Sequence, residues 1–129
     1  GDVYKRQVWD RSIGGSETPW VAGNFIFVLS NQGDLYCLTR LGGRVRWVQS
    51  LPKYEDPEDK DGPIKWFGPV LASDRLMVVG NHGEVLSVSP YTGAFLSKLE
   101  LTDKLSVAPV VASGSVFFLS DDADLIVYR

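Results

Sequence analysis

The stretch FIFVLSNQGDLYCL, residues 25–38, decides the fold, because the chain contains two further copies of it. They read RLMVVGNHGEVLSV at 75–88 and SVFFLSDDADLIVY at 115–128. In each copy a short polar turn joins two apolar runs, which is the pattern of a β-hairpin. The run before the turn is apolar at almost every position, so we predict a strand that is buried on both faces.

The similarity extends to both sides of the hairpin. Upstream of each copy, a proline (19, 69 and 109) and an alanine (22, 72 and 112) stand at fixed distances. Downstream, Gly43 aligns with Gly93, and both glycines precede a further apolar segment, at 44–51 and 94–101. Each full copy therefore contains four short segments with the character of strands, A to D. The copies are 50 and then 40 residues apart, and the extra residues lie between Pro52 and Pro63.

Four short strands repeated about every 40 residues are typical of a β-propeller. We predict an all-β chain, a partial β-propeller of about two complete four-stranded blades plus a three-stranded closing blade. An immunoglobulin-like sandwich, the main alternative, is not expected to repeat its own sequence in this way. The predicted divisions are 8–13 for the end of a preceding blade, 14–51 for the first blade, 52–65 for an acidic insertion, 66–101 for the second blade and 102–129 for the incomplete closing blade.

Composition limits the classes of function. The chain has 129 residues, of which 44% are hydrophobic, and a net charge of -3. Nucleic acid is not an expected partner, because the basic excess typical of nucleic-acid binding is missing. No apolar run approaches the ~18 residues of a membrane span. Residues 1–7 resemble a translated sequencing adapter and are predicted to be an artefact, in which case a missing signal sequence says nothing about location.

The segment that joins strands C and D of the first copy reads CLTRLGGRVRW, residues 37–47, and resembles the tryptophan-docking motif of PQQ-like repeats. Thr39 stands where the motif usually has Asp, and in the second copy Ser97 replaces the tryptophan. In this family the tryptophan packs between adjacent blades. The resemblance therefore implies a blade-packing role for Trp47 and, at the corresponding place upstream, for Trp9. We also assign Gly33, Gly43, Gly83 and Gly93 to blade packing. They stand in turns that need a positive φ, which glycine adopts without strain.

Three longer stretches are similar to the C-terminal part of BamB-type propellers of alphaproteobacteria: LPKYEDPEDK (51–60), VSPYTG (88–93) and LIVYR (125–129). The resemblance implies that this chain covers a little under three blades of an eight-bladed ring. It also implies a non-enzymatic scaffold of the outer-membrane β-barrel protein assembly (BAM) machinery, at the periplasmic face of the outer membrane. The implied partners are a BamA-like assembly subunit and unfolded outer-membrane proteins. Membrane association would come only through a lipid anchor missing from this chain, and no cofactor is expected.

Two alternatives stay open: a PQQ-dependent quinoprotein dehydrogenase, and a PQQ-like propeller with another cell-envelope partner. Quinoproteins typically use a bound calcium, a catalytic acid and a vicinal cysteine pair, whereas Cys37 is the only cysteine here. We expect Cys37 to be a buried thiol and His82 to face solvent in its turn. Asp121, Asp122 and Asp124 lack the spacing of a calcium loop. We therefore assign no catalytic, cofactor-binding or metal-binding residue.

The insertion at 52–65 is the candidate protein-binding loop. It joins strand D of one blade to strand A of the next, so it crosses a propeller face, and exposed loops of this kind commonly bind partners. Between Pro52 and Pro63, five acidic residues stand against two lysines. We predict contact with a basic partner surface; a solvated acidic loop that only keeps the surface soluble is the alternative. The residues of the candidate loop are Tyr54, as aromatic anchor, and Glu55, Asp56, Glu58, Asp59 and Asp61.

Overall fold

The computed structural model describes residues 19–101, 104–105, 109–112, 115–122 and 125–128. Over this part of the chain there are thirteen β-strands and no helix. The predicted end of a preceding blade at 8–13, with Trp9, lies outside the described residues. The same is true of the adapter-like residues 1–7 and of Ala123 and Asp124 in the third turn.

Three antiparallel meanders and one separate hairpin account for the strands. The first meander contains β1 (Trp20–Ala22), β2 (Phe25–Leu29), β3 (Asp34–Thr39) and β4 (Val45–Ser50). The hairpin contains β5 (Tyr54–Asp56) and β6 (Asp61–Pro63). The second meander contains β7 (Trp66–Ala72), β8 (Arg75–Gly80), β9 (Glu84–Val88) and β10 (Phe95–Glu100), and the third β11 (Val110–Ala112), β12 (Ser115–Leu119) and β13 (Leu125–Tyr128). Within each meander, strands that follow one another in sequence are neighbours in the sheet, which is the strand order of a propeller blade.

The second strand of the first two blades is buried on both faces, as the apolar run predicted. In β8, Val78 and Val79 are both 0% exposed, although successive strand residues point to opposite faces of the sheet. Val78 belongs to one apolar cluster with Phe27 of the first blade, and Val79 to another with Phe118 of the third. Full burial of such a side chain stabilises the fold by about 1.5–3 kcal/mol. One strand thus contributes to two cores, because a sheet lies on each side of it.

For β12 the prediction of burial on both faces is wrong. Val116 and Phe118 are buried against the second blade, whereas Leu119 is exposed and Phe117 is only half-buried. The apolar clusters of the described residues contain Val116 and Phe118 of β12 but neither Phe117 nor Leu119. An apolar run alone therefore did not distinguish a strand between two sheets from a strand with one covered face.

The turn between the second and third strands has the same geometry in the first two blades. Its glycines, Gly33 and Gly83, have φ values of 82° and 104°, which residues with a side chain rarely adopt. The carbonyl of Gly33 accepts a hydrogen bond from the amide of Leu51 at 3.0 Å, and that of Gly83 from the amide of Leu101 at 2.8 Å. The turn thereby fixes the point at which the chain leaves each blade, and in the first blade it fixes where the 52–65 insertion begins.

Candidate protein-binding site

The candidate segment at 52–65 is an ordered hairpin rather than an irregular loop. Strands β5 and β6 pair antiparallel, with Asp56 opposite Asp61. The Asp56 carboxylate accepts hydrogen bonds from the backbone amides of Glu58 and Asp59, at 3.2 and 3.3 Å. A side chain that bonds to the backbone two or three residues ahead stabilises a tight turn. Sequence patterns missed the pairing because neither strand contains an apolar run; the signal was Asp56 placed just before this turn.

Two side chains, Lys53 and Trp66, fix the base of the hairpin to the blades on either side. Lys53 Nζ lies 2.7 Å from Asp34 Oδ1 and also donates to the carbonyl of Gln32, in the β2–β3 turn of the first blade. Trp66, at the start of the second blade, donates from its indole Nε1 to the carbonyl of Pro52 at 2.7 Å. The Trp66 side chain is buried, so this hydrogen bond is shielded from water. The hairpin therefore has a defined position relative to both blades.

The six predicted loop residues all lie on this hairpin, but they belong to two different surfaces. Tyr54 and Glu55 line a groove of about 760 Å³, and Tyr54 is half-buried there. The other four residues are exposed around the turn of the hairpin and do not line the groove. We call those four, Asp56, Glu58, Asp59 and Asp61, the hairpin tip.

The groove lies between the hairpin and the two outer strands of the second blade, β9 and β10. Ile64 and Leu86 contribute apolar surface to it. So do Phe95 and Leu96, the first two residues of β10, which are 48% and 49% exposed. Large apolar side chains that are half exposed around a concave surface indicate a binding site, because apolar walls with a few polar groups are typical of ligand-binding clefts.

Two carboxylates face each other across the strands that line the groove. Glu84 of β9 pairs in register with Glu100 of β10, so both side chains lie on the same face of the sheet. Lys98 Nζ lies 3.6 Å from Glu84 Oε2 and 3.2 Å from Glu100 Oε1. The hydrogen bond to Glu100, and then the charges of Glu84 and Glu100, raise the pKa of Lys98. With Glu55 from the hairpin, the described lining has three carboxylates and one lysine.

The prediction that His82 faces solvent is wrong. Its ring packs edge-on against Trp66, with the centroids 5.8 Å apart, and its side chain is 19% exposed. Nε2 lies 3.8 Å from Glu84 Oε2, and Nδ1 is buried with no hydrogen-bond partner among the described residues. The ring occupies space that Gly80 leaves free, since a Cβ there would lie 2.5 Å from His82 Cε1. The signal in the sequence was Gly80 itself, which replaces the serine of the other two copies.

The described arginines and most of the described carboxylates lie at opposite ends of the blades, although Asp74 lies at the arginine end and the lysines, at 53, 60, 65, 98 and 104, lie at or next to the other end. In an antiparallel meander, the first and third turns lie at one end, and the second turn and the connection to the next blade lie at the other. The described arginines, at 40, 44, 46 and 75, lie at or next to the first end. The hairpin acids, Asp34 and Glu84 lie at the second end. The candidate site therefore belongs to the acidic end.

The residues assigned to blade packing lie in turns and between the first two blades. Trp47 of β4 donates from its indole Nε1 to the carbonyl of Pro90 in the second blade, at 3.0 Å. Gly33, Gly43, Gly83 and Gly93 all occupy turns with a positive φ. Trp9 lies outside the described residues.

The remaining groups with possible chemistry are the thiol of Cys37 and the carboxylates of Asp121 and Asp122 in the third turn. Cys37 is a buried free thiol, as expected. Burial raises its pKa to about 11, against an opposing effect of the Arg46 charge. Among the described residues, no three His, Cys, Asp or Glu side chains come together in a way that could hold a metal ion. No helix with the length and apolarity of a membrane span occurs in this part of the chain.

The strand order, the repeated blades and the shared fold described below define the class: the chain is a partial β-propeller. The particular propeller that it resembles is BamB. Residues 3–49 match the family model described as "Outer membrane protein assembly factor BamB". The crystal structure of BamB from Moraxella catarrhalis matches with a TM-score of 0.77 and 17% identity, over 91% of this chain and 32% of that chain.

The chain thus spans about a third of the length of that BamB structure, because the match covers 32% of it. No curated protein sequence matches the chain. The predicted fold class and the predicted resemblance to BamB-type propellers are confirmed.

Proposed function

We propose that the chain acts as a non-enzymatic scaffold of the outer-membrane β-barrel assembly machinery, at the periplasmic face of the outer membrane. The match of residues 3–49 to the BamB family and the shared fold support this assignment. Its proposed partners are a BamA-like assembly subunit and unfolded outer-membrane proteins, and a lipid anchor would supply its membrane association. The quinoprotein alternative has no specific contact among the described residues in its favour.

The observation that carries a protein-binding role is the anchored acidic hairpin. Five exposed carboxylates stand on a segment that Lys53 and Trp66 fix to two blades. Because the hairpin is already ordered, a partner that binds it does not have to offset the entropy cost of ordering a flexible loop. Exposed acids also attract a basic surface over roughly the Debye length, which accelerates association and makes it sensitive to salt. The proposed contact is therefore between the hairpin tip and a basic surface of the BamA-like subunit.

Charge reversal at the hairpin tip tests this contact. The variant changes Glu58, Asp59 and Asp61 to Lys in the full-length protein, and it leaves Asp56 intact because that carboxylate holds the turn. Exposed ion pairs contribute about 0.2–1 kcal/mol each, so recovery of the BamA-like subunit by copurification should fall by roughly fivefold or more. The loss should shrink as the salt concentration rises.

The matched control adds positive charge at the opposite end of the blades. Asn24 and Leu41 are exposed there, in the turns after β1 and β3. Changing both to Lys should leave the recovery of the BamA-like subunit unchanged. Equal recovery with the hairpin-tip variant and the control would reject the hairpin tip as the contact.

A further inference from the structure

We infer that the groove between the hairpin and β10 binds a peptide segment in which a cationic side chain is flanked by apolar ones. The inference rests on the proposed protein-binding role of the hairpin, and it assigns to the groove a ligand chemistry different from that of the hairpin tip. The groove is lined by the inner side of the hairpin and by β9 and β10, so its ligand would contact both.

The charge of the groove favours a cationic group on the ligand. Glu84 and Glu100 are directly opposite each other, an arrangement in which like charges are destabilising. Lys98 is shared between them, at 3.6 and 3.2 Å, and Glu55 adds a third carboxylate without adding a base. A lysine or arginine side chain of a ligand would therefore meet a site with an excess of negative charge in the described lining.

The apolar surface of the groove indicates which residues should flank that cationic residue in the ligand. Phe95 and Leu96 are about half exposed at the start of β10, and Tyr54 and Ile64 add surface from the hairpin side. Side chains of this size gain most when an apolar group covers them. The occupant is thus an amphipathic segment rather than a free cation or a purely basic peptide.

The walls and the volume of the groove suit a short segment. At about 760 Å³, it falls within the range of ~300–1,000 Å³ that is typical of ligand pockets. The base of the hairpin is tied to the first blade through Lys53 and to the second through Trp66. A preformed groove loses less conformational entropy on binding than a flexible one.

A direct binding measurement tests the inference in the full-length protein. The probe is the fluorescein-labelled peptide Gly-Ser-Leu-Lys-Leu-Ser-Gly, and its counterpart has Glu in place of Lys. Fluorescence anisotropy should show that the Lys peptide binds at least about fivefold more tightly than the Glu peptide at low salt. The double variant Glu55→Gln, Glu100→Gln should remove most of that difference. Equal binding of the two peptides would overturn the inference.

The fourth strand of the first blade supplies a matched control for the apolar wall of the groove. Val45 of the first blade aligns with Phe95 of the second, and the two are 49% and 48% exposed, but only Phe95 lines the groove. A photo-crosslinking amino acid at Phe95 should capture the Lys peptide, whereas the same amino acid at Val45 should not. Equal capture at both positions would also overturn the inference.

The hairpin-tip variant separates this inference from the proposed function. Because the tip does not line the groove, the tip variant should keep its preference for the Lys peptide over the Glu peptide at ~0.15 M salt, where more distant exposed charges are largely screened. If the tip variant loses the BamA-like subunit and the peptides bind equally well, the scaffold role stands and the groove assignment fails. If the tip variant keeps the subunit and the Glu55→Gln, Glu100→Gln double variant loses its preference for the Lys peptide, the groove assignment stands and the proposed tip contact fails.

Discussion

The indole of Trp47 in the first blade lies directly against Gly93 in the third turn of the second blade. A Cβ at residue 93 would lie 2.6 Å from Trp47 Cε3 and 2.8 Å from Cδ2, closer than atoms can approach. The same turn accepts two hydrogen bonds from β4, from Trp47 Nε1 to the Pro90 carbonyl at 3.0 Å and from Gln49 Nε2 to the Gly93 carbonyl at 2.7 Å. The outer strand of one blade is therefore locked to the turn of the next.

Replacing Gly93 with Ala should destabilise the protein by more than backbone strain alone. Gly93 has a φ of 80° and no space for a Cβ, whereas Gly42 has a φ of 91° and no atom within 4 Å of its Cβ position. Gly42→Ala is thus the control for strain. We expect Gly93→Ala to lower the free energy of unfolding by about 1–3 kcal/mol more than Gly42→Ala, as overpacking does. Urea unfolding of the full-length protein measures both, and equal losses would show that the Trp47 contact yields to the added methyl group.

Replacing Gly80 with Ser, the residue found in the other two copies, should displace His82. The new Cβ would lie 2.5 Å from Cε1 and 2.7 Å from Nδ1 of the His82 ring. We expect a loss of about 1–3 kcal/mol in the free energy of unfolding. In a His82→Ala background most of that loss should disappear, because the clashing ring is gone. A double-mutant cycle of thermal or urea unfolding measures this coupling, and a loss of the same size in both backgrounds would contradict it.

The stability of the protein should fall as the pH rises from about 9 towards 11, because of Cys37. Burial raises the pKa of this thiol from 9.0 to about 11. Between these values the unfolded chain has released the thiol proton and the folded chain has not, so ionisation lowers the free energy of the unfolded state relative to the folded state. Below pH 9 the contribution is fully present.

Unfolding by urea at a series of pH values checks this dependence on Cys37. A Cys37→Ala variant should lack this component of the alkaline loss, although it is less stable at every pH because a buried side chain is shortened. An identical pH dependence of the two proteins between pH 9 and 11 would show that another group is responsible.

The repeat alone was sufficient to predict the blades. Apolar runs and turn residues are local in sequence, and each copy reports the same hairpin independently. The failure at β12 shows the limit of such patterns. SVFFL at 115–119 is as apolar as the corresponding runs, and yet Leu119 is exposed, since burial of its face requires a sheet that no local pattern describes.

The candidate site was predicted only in part. The acidity of the 52–65 segment and its position between blades follow from the sequence. Its hairpin conformation did not, because β5 and β6 are short and polar and are stabilised by Asp56 in the turn and by Lys53 and Trp66 at the base. The contacts of Lys53 and Trp66 join the segment to residues distant in the chain, and a single sequence contains no signal of their proximity.

By itself, the sequence determined the repeated four-stranded unit, the turn glycines and the acidity of the insertion, because each depends on residues that are neighbours along the chain. Only the tertiary structure decided that Glu55 and the Glu84–Glu100 pair line one groove. Only it placed His82 over Gly80 and Trp47 on Gly93. The groove and the contact of Trp47 with Gly93 join residues that are far apart in sequence, and the His82 ring lies over its neighbour Gly80 because it packs against Trp66. The physical reason is therefore contact between distant parts of the chain rather than any local propensity.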